Sequence, residues 1–245
     1  MKLIRKVIVL TVFHISSLYS QVNTEALRDD NQLPGVQHNL ELDFAYISGN
    51  TKLIKLNGSY RADYVSSSDL YGFFVWKYDR AFEKTKEDFI TYKGFGHLRI
   101  AKPFMVRTDI EGFFQKEFNH FIDLENRDLA GFGFRVNQFD DLSWGLGIMG
   151  ETEKYQNLPQ EQNFIKSTNY LNYTIKFLEI FEIQNILYYQ FKLEKLEDYR
   201  ILWDGKLTIL GLKGISFHIN CHYRYDLEAS IPNYFEISNG LGFQF

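Results

Sequence analysis

Long stretches in which apolar and polar residues alternate are the feature that most constrains this chain. From Ile215 to Leu227 the odd-numbered residues are Ile, Phe, Ile, Cys, Tyr, Tyr and Leu, and the even-numbered residues are polar or charged. The same alternation runs from Ile54 to Tyr64. Successive side chains of a β-strand point to opposite faces. We therefore expect strands with one face against an apolar medium and the other against water.

The length and number of the alternating segments indicate where such strands would lie. Strands of globular proteins mostly have 3–10 residues, whereas a tilted strand needs roughly 9–11 residues to cross a bilayer. Outer-membrane barrels consist of an even number of such segments separated by turns. The pattern predicts an all-β fold, a transmembrane antiparallel up-and-down β-barrel of about 12 strands, with ten or fourteen left open. The segments are 40–47, 54–64, 70–79, 90–100, 104–118, 127–137, 142–153, 168–177, 182–194, 199–209, 215–227 and 235–245.

The lengths of the connections favour the same arrangement. If both termini are periplasmic, odd-numbered connections face outside, where such barrels have their longer loops. The third, fifth and seventh connections are the longest expected ones, at 81–88, 119–126 and 154–167. The even-numbered connections are expected to be short turns, for example at 66–68, 101–103, 139–141 and 211–214.

The N-terminus has the order of a secretory signal peptide. Lys2, Arg5 and Lys6 precede an apolar run, and small residues up to Ser20 follow it. We expect residues 1–20 to be the signal peptide, residues 21–37 a polar periplasmic lead-in and residues 38–245 the barrel. The chain would then be exported to the cell outer membrane of a Gram-negative bacterium.

The C-terminal strand ends on aromatic residues at alternating positions, Phe243 and Phe245. A closing strand with a terminal Phe resembles the signal that the barrel-insertion machinery recognises. We therefore expect that machinery as a partner during biogenesis, and outer-membrane lipid and lipopolysaccharide as partners of the mature protein. The 27 basic and 31 acidic residues indicate no nucleic-acid partner.

Two short glycine-centred patches carry a family resemblance. The first is Leu40–Thr51, a strand that runs into Ser-Gly-Asn-Thr, and the second is Asn126–Arg135, an Arg followed by a Gly-rich strand. In these residues the chain resembles the salt-induced outer-membrane protein family, also called domain of unknown function 481. The resemblance covers roughly residues 38–245. It implies an outer-membrane β-barrel, a link to envelope stress, and no catalytic residues.

Charged residues of both signs on the polar parity are the expected lumen lining. The candidates are Lys55, Arg61, Asp63, Arg99, Arg107, Asp109, Glu111, Arg127, Arg135, His218, His222 and Arg224. His218 and His222 lie about 13 Å apart on a strand, too far for one metal ion. The single cysteine, Cys221, excludes a disulfide within the chain and a Cys-based zinc site.

These residues favour a barrel that is either structural, with a lumen cross-linked by ion pairs, or a narrow pore for a small polar solute. We expect no enzyme, no catalytic residue, no metal and no cofactor. One alternative is a soluble secreted lipocalin-like barrel with apolar residues inside and charges outside. A second is an outer-membrane barrel enzyme, which would need a converging Ser–His or Asp–His cluster.

Overall fold

The structure is a computed structural model. It describes residues 24–25, 27–28, 34–48, 52–83, 89–156, 158–178, 180–211, 215–227 and 232–243. The expected signal peptide and Phe245 lie outside the described residues. The division into signal peptide, lead-in and barrel therefore stays a prediction.

Twelve strands make up almost all of the described chain, and the fold-class prediction of an all-β up-and-down arrangement is confirmed. The strands are β1 Gly35–Ser48, β2 Lys52–Val65, β3 Tyr71–Glu83, β4 Phe89–Met105, β5 Thr108–Asn119, β6 Leu124–Phe139, β7 Leu142–Tyr155, β8 Gln162–Phe177, β9 Phe181–Lys192, β10 Tyr199–Leu210, β11 Ile215–Asp226 and β12 Asn233–Phe243. A 3-10 turn at His120–Ile122 joins β5 to β6. The described residues include no helix that is long and apolar enough to cross a membrane.

Each strand pairs antiparallel with the next, so the sheet order is the chain order from β1 to β12. Among the described residues no ladder joins β1 to β12. The sheet nevertheless curls strongly, since one cavity is lined by Arg99 of β4 and Leu202 of β10. Side chains from strands far apart in the order thus meet on a common inner side.

Several strands are longer than the alternation predicted. β8 begins at Gln162 rather than at 168, which shortens the connection before it, and β1 begins at Gly35 rather than at 40. The turn predicted at 101–103 is wrong, because these residues lie within β4. The β4–β5 turn lies at Val106 and Arg107 instead, and Arg107 has a φ of 59°. The alternation does not predict this turn, because β4 continues past Pro103, the last residue of the expected turn.

The two faces of the sheet have opposite chemistry. Large apolar side chains are exposed on the outer face; for example, Leu42 is 73% exposed, Phe44 69% and Phe132 61%. Charged side chains such as Arg127 and Glu151 are buried on the inner face. This distribution is the opposite of that expected for the soluble lipocalin-like alternative. An apolar surface of this extent needs a partner or a lipid environment.

A glycine pair allows β6 and β7 to approach closely. Gly133 faces Gly147 across the ladder, and a Cβ on Gly133 would overlap the carbonyl oxygen of Leu146. We expect Gly133→Ala to lower the free energy of unfolding by about 1–3 kcal/mol, because backbone must shift to accept the methyl group. Denaturant unfolding in detergent micelles measures the change. Gly112→Ala is the matched control, since nothing lies within 4 Å of its added Cβ, and an equal loss in both variants would contradict the packing argument.

Candidate functional site

The inner side of the sheet has two buried groups of charges with an apolar band between them. We name the group near the odd-numbered connections the loop-end cluster, which consists of Glu117, Arg127, Glu151, Glu153, Lys166, Arg200, Arg224 and Asp226. We name the group near the even-numbered turns the turn-end cluster, which consists of Glu25, Arg28, Arg99, Glu111 and Arg135. Both are buried.

The loop-end cluster is a network of ion pairs that crosses the inner space. Arg127 Nε lies 2.7 Å from Glu153 Oε1, and Arg127 also pairs with Glu117. Arg200 Nη2 lies 2.9 Å from the same Glu153 oxygen, and Arg200 Nε lies 2.6 Å from Asp226 Oδ2. β6, β7, β10 and β11 are thus held together through their side chains as well as through their ladders.

This cluster contains as many acidic as basic groups. Glu117, Glu151, Glu153 and Asp226 face Arg127, Lys166, Arg200 and Arg224. Lys166 Nζ lies 3.0 Å from Glu151 Oε1, which completes the network on the β8 side. Because buried charges are tolerated only when they are paired, removal of one member leaves its partners uncompensated.

An apolar band separates the two clusters, so the inner face is not uniformly polar as the alternation predicted. Phe73, Val75 and Phe95 form one buried group of this band, and Ile186, Tyr188 and Leu202 form another. His97 packs against the first group, with its ring centroid 5.6 Å from that of Phe73. The band restricts the space available to water at this level.

Residues of the N-terminal segment fold into a turn that lies inside the sheet. The backbone N–H groups of Leu27 and Arg28 donate to the carbonyl oxygens of Thr24 and Glu25, at 3.3 and 3.1 Å. Leu27 packs against the Phe73 group. Two strands on opposite sides also hold the turn, since Tyr188 Oη lies 3.3 Å from Thr24 Oγ1 and Arg99 donates to the same oxygen.

Glu25 is the centre of the turn-end cluster, and its carboxylate lies between two arginines of the sheet. Its Oε1 lies 3.0 Å from Arg135 Nε, and its Oε2 lies 3.0 Å from Arg99 Nη1. Arg28 of the same turn pairs with Glu111. The side chain of Glu25 has no exposed surface.

The arginines determine the ionisation of Glu25. Burial by itself raises the pKa of the Glu25 carboxyl, but the guanidinium groups of Arg28, Arg135 and Arg99 together hold the pKa below its ordinary value of 4.5. A carboxyl with a lowered pKa in the folded state stabilises that state above its unfolded pKa. The stabilisation by Glu25 is therefore present at neutral pH and is lost as the pH falls through the lowered value.

A polar cavity of about 400 Å³ opens at the turn end, and we name it the vestibule. Arg107, Arg135, Asp140, Asn172 and Gln184 are among its lining residues. Arg135 belongs to both the vestibule and the turn-end cluster. The Glu25 site is thus adjacent to solvent-accessible space.

A second, much smaller cavity of about 40 Å³ lies on the inner side of the Glu25 site. Thr24, Arg99, Glu111 and Tyr170 contribute to its polar lining. A water molecule needs roughly 10–15 Å³ of such space, so this cavity has room for a few waters at most.

Of the predicted lumen-lining residues, seven are buried on the inner face: Asp63, Arg99, Glu111, Arg127, Arg135, His222 and Arg224. The structure brings Arg99, Glu111 and Arg135 together around Glu25, and it places Arg127 and Arg224 in the loop-end cluster. Beside these clusters, Arg61 Nε lies 2.5 Å from Asp63 Oδ2. Similarly, His222 Nδ1 lies 2.7 Å from Asp204 Oδ1.

The other candidates lie at less enclosed positions. Lys55, Asp109 and His218 are half-buried, and Arg107 is exposed at the β4–β5 turn, where its Nη1 donates to the carbonyl oxygen of Gln138 at 2.6 Å. Phe243 is the last residue of β12. The insertion-signal role of Phe243 and Phe245 stays a prediction.

The strongest omissions of the sequence reasoning are Glu25, Glu117, Lys166 and Arg200. Glu117 has the same parity as Glu111, and Arg200 the same parity as Asp204, so the alternation could have identified both. Lys166 was missed because the strand was expected to begin at 168. Glu25 lies outside every strand, and no periodic signal in the sequence marks it.

Two observations concern catalysis and metal binding. Glu236 of β12 lies two residues before Ser238 and accepts a hydrogen bond from Tyr234 Oη at 2.6 Å. Within the described ranges, no group of three or more His, Cys, Asp or Glu side chains lies close enough to hold a metal ion.

Comparison with solved structures gives matches, whereas comparison with family models and with curated proteins gives none. No family model matches the chain, and no curated protein matches it, so the resemblance to the salt-induced outer-membrane protein family stays a prediction. The chain is similar to the solved structure of "KdgM porin", with 15% identity, a TM-score of 0.42 and coverage of 86% of this chain and 98% of that one. It is similar to "KdgM porin in complex with disordered oligogalacturonate" at the same identity and TM-score, with coverage of 83% and 98%. At this level of likeness, the function has to be argued from the geometry of this chain.

Proposed function

We propose that this protein is an outer-membrane barrel with a narrow polar pore for small solutes. The observation that carries the proposal is the distribution of side chains, with apolar residues on the outer face and buried charges around polar cavities on the inner face. Lipid offers no hydrogen-bond partners, so a sheet that crosses a membrane must satisfy its backbone within itself. Eleven successive antiparallel ladders provide this pairing along the sheet.

The biological setting of the proposal is export and insertion. The expected signal peptide would direct the chain across the inner membrane, and the C-terminal strand would be recognised by the insertion machinery. Outer-membrane lipid and lipopolysaccharide would cover the apolar face. The short-turn end with the vestibule would face the periplasm.

A closed structural barrel is the second candidate function. It is favoured by the turn that contains Thr24, Glu25, Leu27 and Arg28, together with the apolar band and the loop-end cluster, which lie in the interior. The two candidates differ in one property, the passage of ions.

Single-channel recording in planar bilayers separates the two functions. A pore gives discrete current steps above bare lipid, and absence of steps at any voltage would favour the structural barrel. We expect Arg107→Glu to shift the permeability ratio towards cations by about twofold, because a charge reversal at the vestibule changes the local ion concentrations. The shift in reversal potential in a KCl gradient measures it.

Lys116→Glu is the matched control for this charge reversal. Lys116 lies on the outer parity of β5, where it pairs with Asp128 at the surface. The same shift in both variants would indicate an effect of net charge rather than of a pore mouth.

A further inference from the structure

We infer that Arg99 and Arg135 form a binding site for a solute carboxylate, and that Glu25 is a built-in occupant which such a solute replaces. The inference rests on the proposed function, because a solute reaches these arginines only through the interior of the barrel. It names the chemical class of solute that the site selects.

The geometry around Glu25 is that of a carboxylate-binding site. Each carboxylate oxygen has its own guanidinium, Arg135 for Oε1 and Arg99 for Oε2, both at 3.0 Å. Arginine is suited to this role because its planar donors match the carboxylate. The two arginines belong to β4 and β6, so the sheet holds them in place whether or not Glu25 is present.

Glu25 itself is held in a different way. It belongs to a turn outside the strands, and its own backbone N–H donates to a side chain, Tyr188 Oη, at 3.1 Å rather than to a ladder. Segments with few backbone hydrogen bonds to the rest of the fold open at lower free energy than the strands. Departure of the turn breaks side-chain contacts, such as those of Arg99 and Tyr188 with Thr24, but no ladder between the described strands, so in this proposal the turn leaves while the sheet stays folded.

The charges of the turn-end cluster favour an anion after the turn has left. The turn takes away Glu25 and Arg28 together, which leaves Arg99, Arg135 and Glu111, with Arg99 Nη1 3.3 Å from Glu111 Oε2. One positive charge is then in excess in a buried site. A monocarboxylate neutralises it, and this lowers the cost of burying unpaired charge.

The site also has hydrogen-bonding groups that Glu25 leaves unused. The Nε of Arg99 and the hydroxyl of Tyr170 are buried without a hydrogen-bond partner among the described residues. Both residues line the small cavity next to the carboxylate. A solute with a second polar group beside its carboxylate could pair with them, whereas the Glu25 side chain does not.

The vestibule gives a route to the site, because Arg135 lines it. The small cavity holds only a few waters. A solute that enters from the vestibule therefore reaches both arginines only in the place of Glu25, which makes binding of solute and binding of the turn mutually exclusive.

Chemical rescue tests the carboxylate site. Glu25→Ala removes the occupant, and propionate serves as a probe of nearly the same shape. In detergent, we expect the unfolding midpoint of Glu25→Ala to rise by about 3 °C for every tenfold increase in propionate above its dissociation constant, with chloride replaced at constant ionic strength. Glu25→Gln, which keeps the side-chain volume, is the second variant and should respond only at higher propionate concentrations, because its amide still fills the site and must first be displaced.

Glu41→Ala is the control, since Glu41 is exposed on β1 and its carboxylate accepts hydrogen bonds from Asn39 and Ser59, far from the arginines of the site. Equal midpoints of Glu25→Ala in propionate and in chloride would overturn the site. So would an equal rise in Glu41→Ala.

Thiol labelling tests the replacement of Glu25 in a site that keeps Glu25, Arg99 and Arg135. Thr24→Cys is combined with Cys221→Ser, so that the buried position 24 has the only thiol. We expect propionate to accelerate maleimide labelling severalfold relative to chloride at the same ionic strength. An unchanged rate would show that the turn is a fixed part of the fold and would overturn the exchange.

Neither readout depends on ion conduction. A protein that shows rescue and accelerated labelling but no current steps would contradict the pore and retain the carboxylate site. Current steps without rescue by propionate would support the pore and contradict the carboxylate site.

Discussion

Replacement of Arg127 by alanine is expected to destabilise the protein by about 3–5 kcal/mol. The side chain of Arg127 is fully buried and pairs with Glu117, Glu151 and Glu153. Without the guanidinium group, these three carboxylates stay buried with less positive charge to compensate them. The free energy of unfolding in denaturant, with the protein in lipid vesicles, measures the loss.

Lys116→Ala is a suitable control for this substitution because it breaks an ion pair between the same two strands, β5 and β6. Lys116 and Asp128 have side-chain exposures of 61% and 34%, and such surface pairs contribute about 0–1 kcal/mol. If both variants lost the same amount, the loop-end cluster would not be the buried network described above.

A charge on the outer face is expected to have a comparably large effect. Phe132 lies near the middle of β6 and is 61% exposed. In a bilayer, Phe132→Arg should cost about 2–4 kcal/mol, because a cation near the midplane loses its hydration. The measurement is again the free energy of unfolding in vesicles, together with the fraction of protein that inserts.

Two further variants separate a membrane effect from a general one. Phe132→Leu keeps the position apolar, and Val106→Arg places the same charge at an exposed turn, where the cost falls to about 0–1 kcal/mol. A soluble protein would tolerate Arg at position 132 as well as at position 106. That outcome would contradict a membrane location.

The alternation predicted much of this molecule because it follows directly from strand geometry. Residues two apart share a face, so the inward positions of Arg99, Glu111 and Arg135 could be assigned without any knowledge of partners. Strand ends were less predictable. Pro103 looked like a turn residue but lies within β4, and the turn follows at Arg107.

Contacts between distant strands were outside the reach of the sequence. Periodicity indicates which face of the sheet a residue occupies. It does not indicate which inward residue of β7 contacts which inward residue of β10. The pairing of Glu153 with both Arg127 and Arg200 therefore depends on how far the sheet curls. The same holds for the apolar band, since Ile186 and Leu202 become neighbours only through the register of β9 and β10.

The sequence by itself determined an all-β sheet of about twelve antiparallel strands with one apolar and one charged face, because a period of two is a local property of the chain. Only the tertiary structure decided what fills the interior. Glu25 and Arg28 lie in a segment that has no periodicity, and their positions between Arg99, Arg135 and Glu111 are fixed by charge and packing across the curled sheet. Long-range electrostatic pairing of this kind depends on distances in space, which the order of residues along the chain does not encode locally.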